Sequence, residues 1–176
     1  MFYATNIIPI NDYAPPFFFN RRLHVPNFVS LSSKLVKVIE YISQIDFEFS
    51  NHDAYTVWLQ QVATSEDFSI EALTYVFVSD EELHKMNVKY LNHNTLTDII
   101  TFNYVENVSI SGDIFISIDR VKENALDFKA SFEDELRRVM VHGLLHLMNY
   151  NDKTVQQQAI MTQKEDEKLN MFHVEH

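Results

Sequence analysis

The stretch His142-Gly143-Leu144-Leu145-His146-Leu147-Met148-Asn149-Tyr150-Asn151-Asp152 sets two histidines four apart and a carboxylate six residues after the second. On an α-helix, residues i and i+4 project from one face a turn apart, so His142 and His146 can offer their imidazoles to one ion. A third ligand must return from beyond the helix end. Asn149 supplies the means, because asparagine tolerates the left-handed conformation that terminates helices and turns the chain back. Asp152 then closes a candidate site of His142, His146 and Asp152.

Histidines four apart also arise by chance on surfaces and in satisfied cores. Here Leu144, Leu145, Leu147 and Met148 surround the pair, so the segment is expected to be buried, and inward-facing imidazoles need partners for their nitrogens. A metal takes one nitrogen of each ring and leaves the other for a supporting group. The metalloprotease pattern H-E-x-x-H requires a glutamate after the first histidine as general base. Gly143 occupies that position, which removes the mechanism. Glycine in a helix interior costs roughly 1 kcal/mol relative to alanine, so Gly143 is expected to permit close approach of another backbone or of a substrate.

Working outward, Ser131 with Asp134 marks an N-cap for a long helix that carries both histidines. Leu136, Val139, Met140, Gly143, Leu144 and Leu147 form its core stripe, and His142 and His146 mark the edge facing a cleft. Thr154 and Gln157 cap a final polar helix. Upstream, Asp119 to Leu126 reads as a short helix. Asp113 to Ile118, Thr97 to Tyr104 and Leu73 to Val78 read as strands, and a polar turn lies around Asn107 to Gly112. Ser79 and Glu82 form a capping-box pattern for a helix through Leu83, Met86 and Asn87. Ala54 to Val62 reads as a helix and Ile45 to Phe49 as a strand, while Leu35, Val38, Ile39 and Ile42 recur at helical spacing from Leu31 onward. Met1 to Ser30, with Pro15-Pro16-Phe17-Phe18-Phe19 and Pro26, has little periodicity and reads as an extension. It is aromatic enough to dock on the core or a partner. The expected fold class is α+β: a single domain with a mixed sheet of about four strands flanked by helices, and a metal site at the end of the long helix. Residues 1–44 are expected to form an extension and helix of uncertain role, and residues 45–172 the functional domain.

The chain of 176 residues is 46% hydrophobic and 13% aromatic, enough for a substantial core. It has no cysteine, so a metal must be held by histidine and carboxylate. Zinc suits two histidines and a carboxylate, although nickel, copper or iron accept similar ligands. There is no apolar run long enough to span a membrane and no secretory signal pattern, which suits a cytoplasmic protein. With only two glycines, a dinucleotide-binding fold is excluded.

At this point the motifs carry a resemblance. His142-Gly143, His146-Leu147, Tyr150 and a ligand ten residues after the first histidine resemble the signature of the YbeY family, metal-dependent endoribonucleases that mature and police bacterial ribosomal RNA. Asn87-Val88-Lys89-Tyr90 followed by Leu96-Thr97-Asp98-Ile99-Ile100-Thr101-Phe102 resembles its second stretch, and Ser111-Gly112-Asp113-Ile114-Phe115-Ile116-Ser117 its third. The resemblance runs from about residue 45 to about residue 170 and implies a single-strand-specific endoribonuclease carrying one zinc per chain. It also implies a substrate in ribosomal RNA or the pre-ribosomal small subunit, with a ribosomal protein or GTPase as assembly partner.

Two departures stand out. Asp152 replaces the usual third histidine, and aspartate offsets part of the metal's charge, so a bound water would be less acidified. Leu91 replaces the usual arginine after the tyrosine, and leucine cannot pair with phosphate. Lys89, His93, Arg120, Lys122, Arg137 and Arg138 are the candidates to take that role. Metal-assisted phosphodiester hydrolysis is the implied reaction, with an open metal position for water or a phosphoryl oxygen. No residue presents itself as general base; His84 and His93 carry no convincing spacing. Thr97 and Asp98 are expected to orient the cleft's backbone or to support a ligating histidine.

The net charge of −11 opposes unaided RNA binding and favours a substrate presented by a ribosomal particle. Glu133-Asp134-Glu135 and Glu165-Asp166-Glu167 concentrate part of that charge. Two other readings stand beside the nuclease: a non-catalytic, metal-stabilised ribosome-assembly factor, and a metal-dependent hydrolase of a small substrate.

Overall fold

The computed structural model describes residues 6–9, 38–104 and 108–172. Among these residues, five strands form one mixed sheet in the order β1-β4-β5-β3-β2. They are β1 (Asn6–Pro9), β2 (Ile39–Ser43), β3 (Ser69–Val78), β4 (Ile99–Asn103) and β5 (Ser109–Ser117). Only the β4–β5 pair is antiparallel; β1 runs parallel to β4, and β3 runs parallel to both β5 and β2. Among the described residues, five helices take their places in chain order: α1 (His52–Ser65), α2 (Asp80–Leu91), α3 (Ile118–Phe128), α4 (Phe132–Leu147) and α5 (Val155–Phe172). The fold is the expected α+β domain with a mixed sheet. Among the described residues, no helix is long and apolar enough to cross a membrane.

The sheet is buried on both faces, which follows from the period of two along its strands. Leu73, Tyr75, Phe77, Ile99, Ile114 and Ile116 point to the larger core, where α1, α4 and α5 pack. Val76, Val78, Ile100, Phe102 and Phe115 point to the opposite side, closed by Leu83 and Met86 of α2. The Tyr75 hydroxyl donates to the Met140 carbonyl at 3.0 Å, so the middle of α4 is tied to the central strand by a satisfied buried donor.

The local start signals act as read. Ser79 Oγ accepts from the Glu82 amide and Ser131 Oγ from the Asp134 amide. Thr154 and Gln157 cap each other reciprocally. Several expectations need correction. Ile39–Ser43 is a strand, paired with Leu73 to Phe77, and does not continue a helix through Ile42. A short apolar run fits both periods, and the exposed edge of β3 decides between them. The chain then peels off the sheet after Gln44, so Ile45 to Phe49 has no ladder of its own. Ile45, Phe47 and Phe49 nevertheless pack on the core while Asp46 and Glu48 face solvent, which is the alternation that resembled a strand. Residues 6–9 of the presumed extension add an edge strand. The expected helix start at Leu31, the Pro15 to Phe19 and Pro26 segments, and Asn107 lie outside the described residues, and Ser109 to Gly112 belong to β5 rather than to a turn.

Candidate metal centre

Helix α4 is buried from Leu136 onward apart from Arg137 and Arg138, and it ends where the site begins. Asn149 takes φ 69°. The Tyr150 amide donates to the Leu145 carbonyl at 3.1 Å and the Asn149 amide to the His146 carbonyl at 3.0 Å. This is a Schellman cap, with asparagine in the left-handed position. The reversal brings Asp152 over the last turn. His142, His146 and Asp152 place one potential ligand atom each within 4.8 Å of one another. The two histidine Nε2 atoms are 3.1 Å apart, and Asp152 Oδ2 lies 3.9 Å from that of His142 and 3.7 Å from that of His146.

The other nitrogens decide what can sit between them. His146 Nδ1 lies 2.8 Å from the Tyr150 carbonyl oxygen, which can only accept, so Nδ1 carries the proton. His142 Nδ1 donates likewise to Glu165 at 2.6 Å. Burial lowers the pKa of His142, outweighing the hydrogen bond to Glu165, so the ring is neutral at pH 7. In their neutral forms both rings then aim Nε2 lone pairs at one point, with no proton between them. Burial tends to raise Asp152, but interactions with His146 and His142 prevail and hold it below the usual carboxylate range. Three electron-pair donors converging without a hydrogen are matched to a cation. Three such donors would leave a further position open on a tetrahedral ion.

Glu165 was visible in the sequence only as part of an acidic run. It lies on the buried stripe of α5, with Met161 and Lys168, and is 2% exposed. Arg138 donates to it at 3.1 Å and to Asp166 at 3.0 Å. A chain from Arg138 through Glu165 to His142 therefore fixes that ring's orientation. The signal available was the spacing of Met161, Glu165 and Lys168, which fits one helical face.

Thr97 and Asp98 are buried at the entry to β4. Thr97 Oγ1 donates to the Ile99 carbonyl, and the Asp98 carbonyl accepts from the Ser117 amide, so both orient backbone here. The Asp98 carboxylate accepts from Asn124 at 3.4 Å. Burial raises its pKa to about 7, assisted by the negative charges of Glu135 and Glu165 and opposed by backbone hydrogen bonds. Gly143 does not face a substrate or another backbone as expected. A Cβ there would meet Ile99 Cδ1 at 2.7 Å and Ile114 Cγ2 at 3.0 Å, so the residue after His142 is directed into the sheet.

Leu91 ends α2 and packs against the core around Val76 and Phe102. Of the cations considered for phosphate, Arg120 pairs with Asp80 and Glu123, and Arg137 with Asp134. Arg138 is held by Glu165 and Asp166. Lys89, His93 and Lys122 are exposed, with Lys89 lying over its neighbour's ring, 4.7 Å from the Tyr90 centroid. His84 bonds Asn94 at 3.0 Å.

Residues 38–173 match the family model described as Endoribonuclease YbeY. The chain belongs to that family. Proteins named Endoribonuclease YbeY from Flavobacterium johnsoniae and Flavobacterium psychrophilum are 50% and 48% identical to it over 138 and 137 residues. Each alignment covers 78% of this chain, with 99% and 98% of the respective relative. A solution structure from Thermotoga maritima superposes with a TM-score of 0.55 at 24% identity, covering 76% of this chain and 88% of that one. That likeness supports the fold. In this YbeY-family chain, the motifs around Asn87, Ser111 and His142 all fall inside the matched region.

Proposed function

We propose that this chain is a zinc-dependent, single-strand-specific endoribonuclease that acts in small-subunit ribosomal RNA maturation and ribosome quality control, in the cytoplasm. The observation that carries the reading is the convergence of two histidine Nε2 lone pairs with Asp152, each Nδ1 being held from behind. His142, His146 and Asp152 are the proposed ligands of a single zinc. When bound, the metal polarises a water or a phosphoryl oxygen for phosphodiester hydrolysis. The rest is the chain's own work. Glu165 and the Tyr150 carbonyl hold the two imidazoles in the tautomer that ligates, Asp152 supplies a charge, and the packed face of α4 keeps the histidines in place. The domain proposed to do this is residues 45–172, to which the preceding segment adds β1 and β2 as edge strands. The name carried by the relatives supports RNA as substrate, and the net charge of −11 supports delivery on a pre-ribosomal small subunit with a ribosomal protein or GTPase partner.

The test is elemental analysis of the purified protein beside His146→Ala, with both then assayed on precursor small-subunit ribosomal RNA. Stoichiometric zinc in the wild type, with cleavage lost in the variant, is the expected result. Zinc without cleavage would overturn the nuclease reading in favour of an assembly factor stapled by its metal.

A further inference from the structure

Tyr150 is attached to the structure at three points. Its amide caps α4 and its carbonyl accepts from His146 Nδ1; both are backbone bonds that any residue could make. The third belongs to the side chain: the phenol donates to Glu66 Oε2 at 2.6 Å, from a residue 84 positions away. Glu66 is itself held firmly. Its Oε1 accepts from Lys164 Nζ at 2.8 Å and from Lys168 Nζ. Lys168 is wholly buried and also reaches Ser65 Oγ at 2.9 Å and Glu167 Oε1 at 2.7 Å. Trp58 Nε1 donates to the Lys168 carbonyl at 2.8 Å, which fixes α5 on α1 beside this cluster. Lys164 also lies over the tyrosine ring, 5.8 Å from its centroid.

We propose that Glu66, clamped by Lys164 and Lys168, is a positioning residue that acts through Tyr150 to pre-set the turn from Asn149 to Asp152 for metal binding. The inference rests on the metal reading above. The turn must present two things at once, a carbonyl that selects the His146 tautomer and the Asp152 carboxylate two residues on. The side-chain bond of Asn151 within it is local, to the Asn149 carbonyl. The phenol anchor therefore ties the turn to the rigid α1–α5 pair. A ligand set ordered before binding loses less freedom on closing round the ion, so the clamp contributes to affinity without touching the metal.

The variant that separates this from a simple packing role is Tyr150→Phe, which removes one hydroxyl and leaves the Glu66–Lys168 pair intact. Zinc affinity, measured by competition with a chromogenic chelator at a temperature well below melting, is expected to fall about 10–100-fold, the usual effect of losing an outer support. Glu66→Gln should weaken zinc similarly, and the double variant should be little worse than either single one, since both break one path. Equal zinc affinity in wild type and Tyr150→Phe, or full additivity in the cycle, would overturn the clamp. A wild type that binds no zinc would instead overturn the metal reading itself. The melting temperature of the chelator-treated proteins, followed in parallel, reports any purely structural loss separately.

Discussion

Replacing Gly143 by alanine tests whether the helix that bears both histidines is seated on the sheet as closely as the structure shows. The new methyl would lie 2.7 Å from Ile99 Cδ1 and 3.0 and 3.2 Å from the Cγ2 and Cδ1 of Ile114. The Ile99 contact is with a chain end that can rotate away. The Ile114 Cγ2 contact is not so easily relieved, because a branched side chain on a buried strand has little rotamer freedom. Overpacking of this kind costs about 1–3 kcal/mol, and contacts this short place Gly143→Ala in the upper part of that range, about 2–3 kcal/mol; alanine returns roughly 1 kcal/mol of helix propensity, leaving a net loss of about 1–2 kcal/mol. For a domain of this size that lowers Tm by roughly 3–8 °C. Thermal unfolding followed by far-ultraviolet circular dichroism in the presence of chelator gives the value without interference from metal. Because Glu165 and the Tyr150 carbonyl still grip the imidazoles, zinc affinity should fall less than tenfold. An alanine variant as stable as wild type, or more so, would refute the packing argument and reopen Gly143 as a point of substrate approach.

Glu165→Gln keeps an acceptor near His142 Nδ1 but removes the charge that both His142 and Arg138 face; isothermal titration with zinc should show affinity about 10–100-fold weaker, and unchanged affinity would exclude Glu165 from holding the ring. Asp98 has a folded pKa of about 7 against an ordinary 3.8, so its burial opposes folding increasingly as pH rises from 4 to 7. Asp98→Asn should therefore gain up to about 4 kcal/mol over wild type at pH 8 and little at pH 4, read from urea unfolding of the metal-free proteins, with a pH-independent difference counting against the assignment. Burial tends to raise Glu66, but hydrogen bonds from Lys164, Lys168 and Tyr150 outweigh it and lower it from 4.5 to about 2. Its contribution is present above pH 4.5 and disappears as pH falls toward 2. Full linkage gives about 3 kcal/mol, and solvent screening of the cluster reduces this to about 1–2 kcal/mol. Acid titration of wild type beside Glu66→Gln should show the two stabilities converging in that window, and parallel curves would contradict the pairing.

How much of this was legible in the sequence follows from how far apart the partners lie. The proposed ligands fall within eleven consecutive residues, and the helix, its cap and the reversal at Asn149 are all local consequences of those residues. Helix starts at Ser79, Ser131 and Thr154 were legible for the same reason. The supports were not. Glu165 reaches His142 across 23 positions, Arg138 reaches Glu165 across 27, and Tyr150 reaches Glu66 across 84. Nothing in a run of acidic residues distinguishes the one that turns inward, except the stripe it shares with Met161 and Lys168. The misreading of Ile39–Ser43 has a different origin: its apolar residues satisfy two periods, and only the presence of β3 at hydrogen-bonding distance selects the extended one. Leu91 was legible as a departure from the family pattern, but its place against the second core is a tertiary fact.

The paired cations also give the charge of the chain a physical meaning. Arg120, Arg137, Arg138, Lys164 and Lys168 each lie against carboxylates, so they are spent on holding helices and ligands together. They are not an array waiting for phosphate. At the proposed centre the uncharged His142 and the Asp152 carboxylate bring no positive charge of their own. On the proposed reading, attraction for phosphate falls to the bound cation and to contacts made by a larger assembly. On that reading, selectivity has a simple basis. Free RNA gains little from a surface of net charge −11, whereas an RNA strand already held on a particle needs only to be presented to the site.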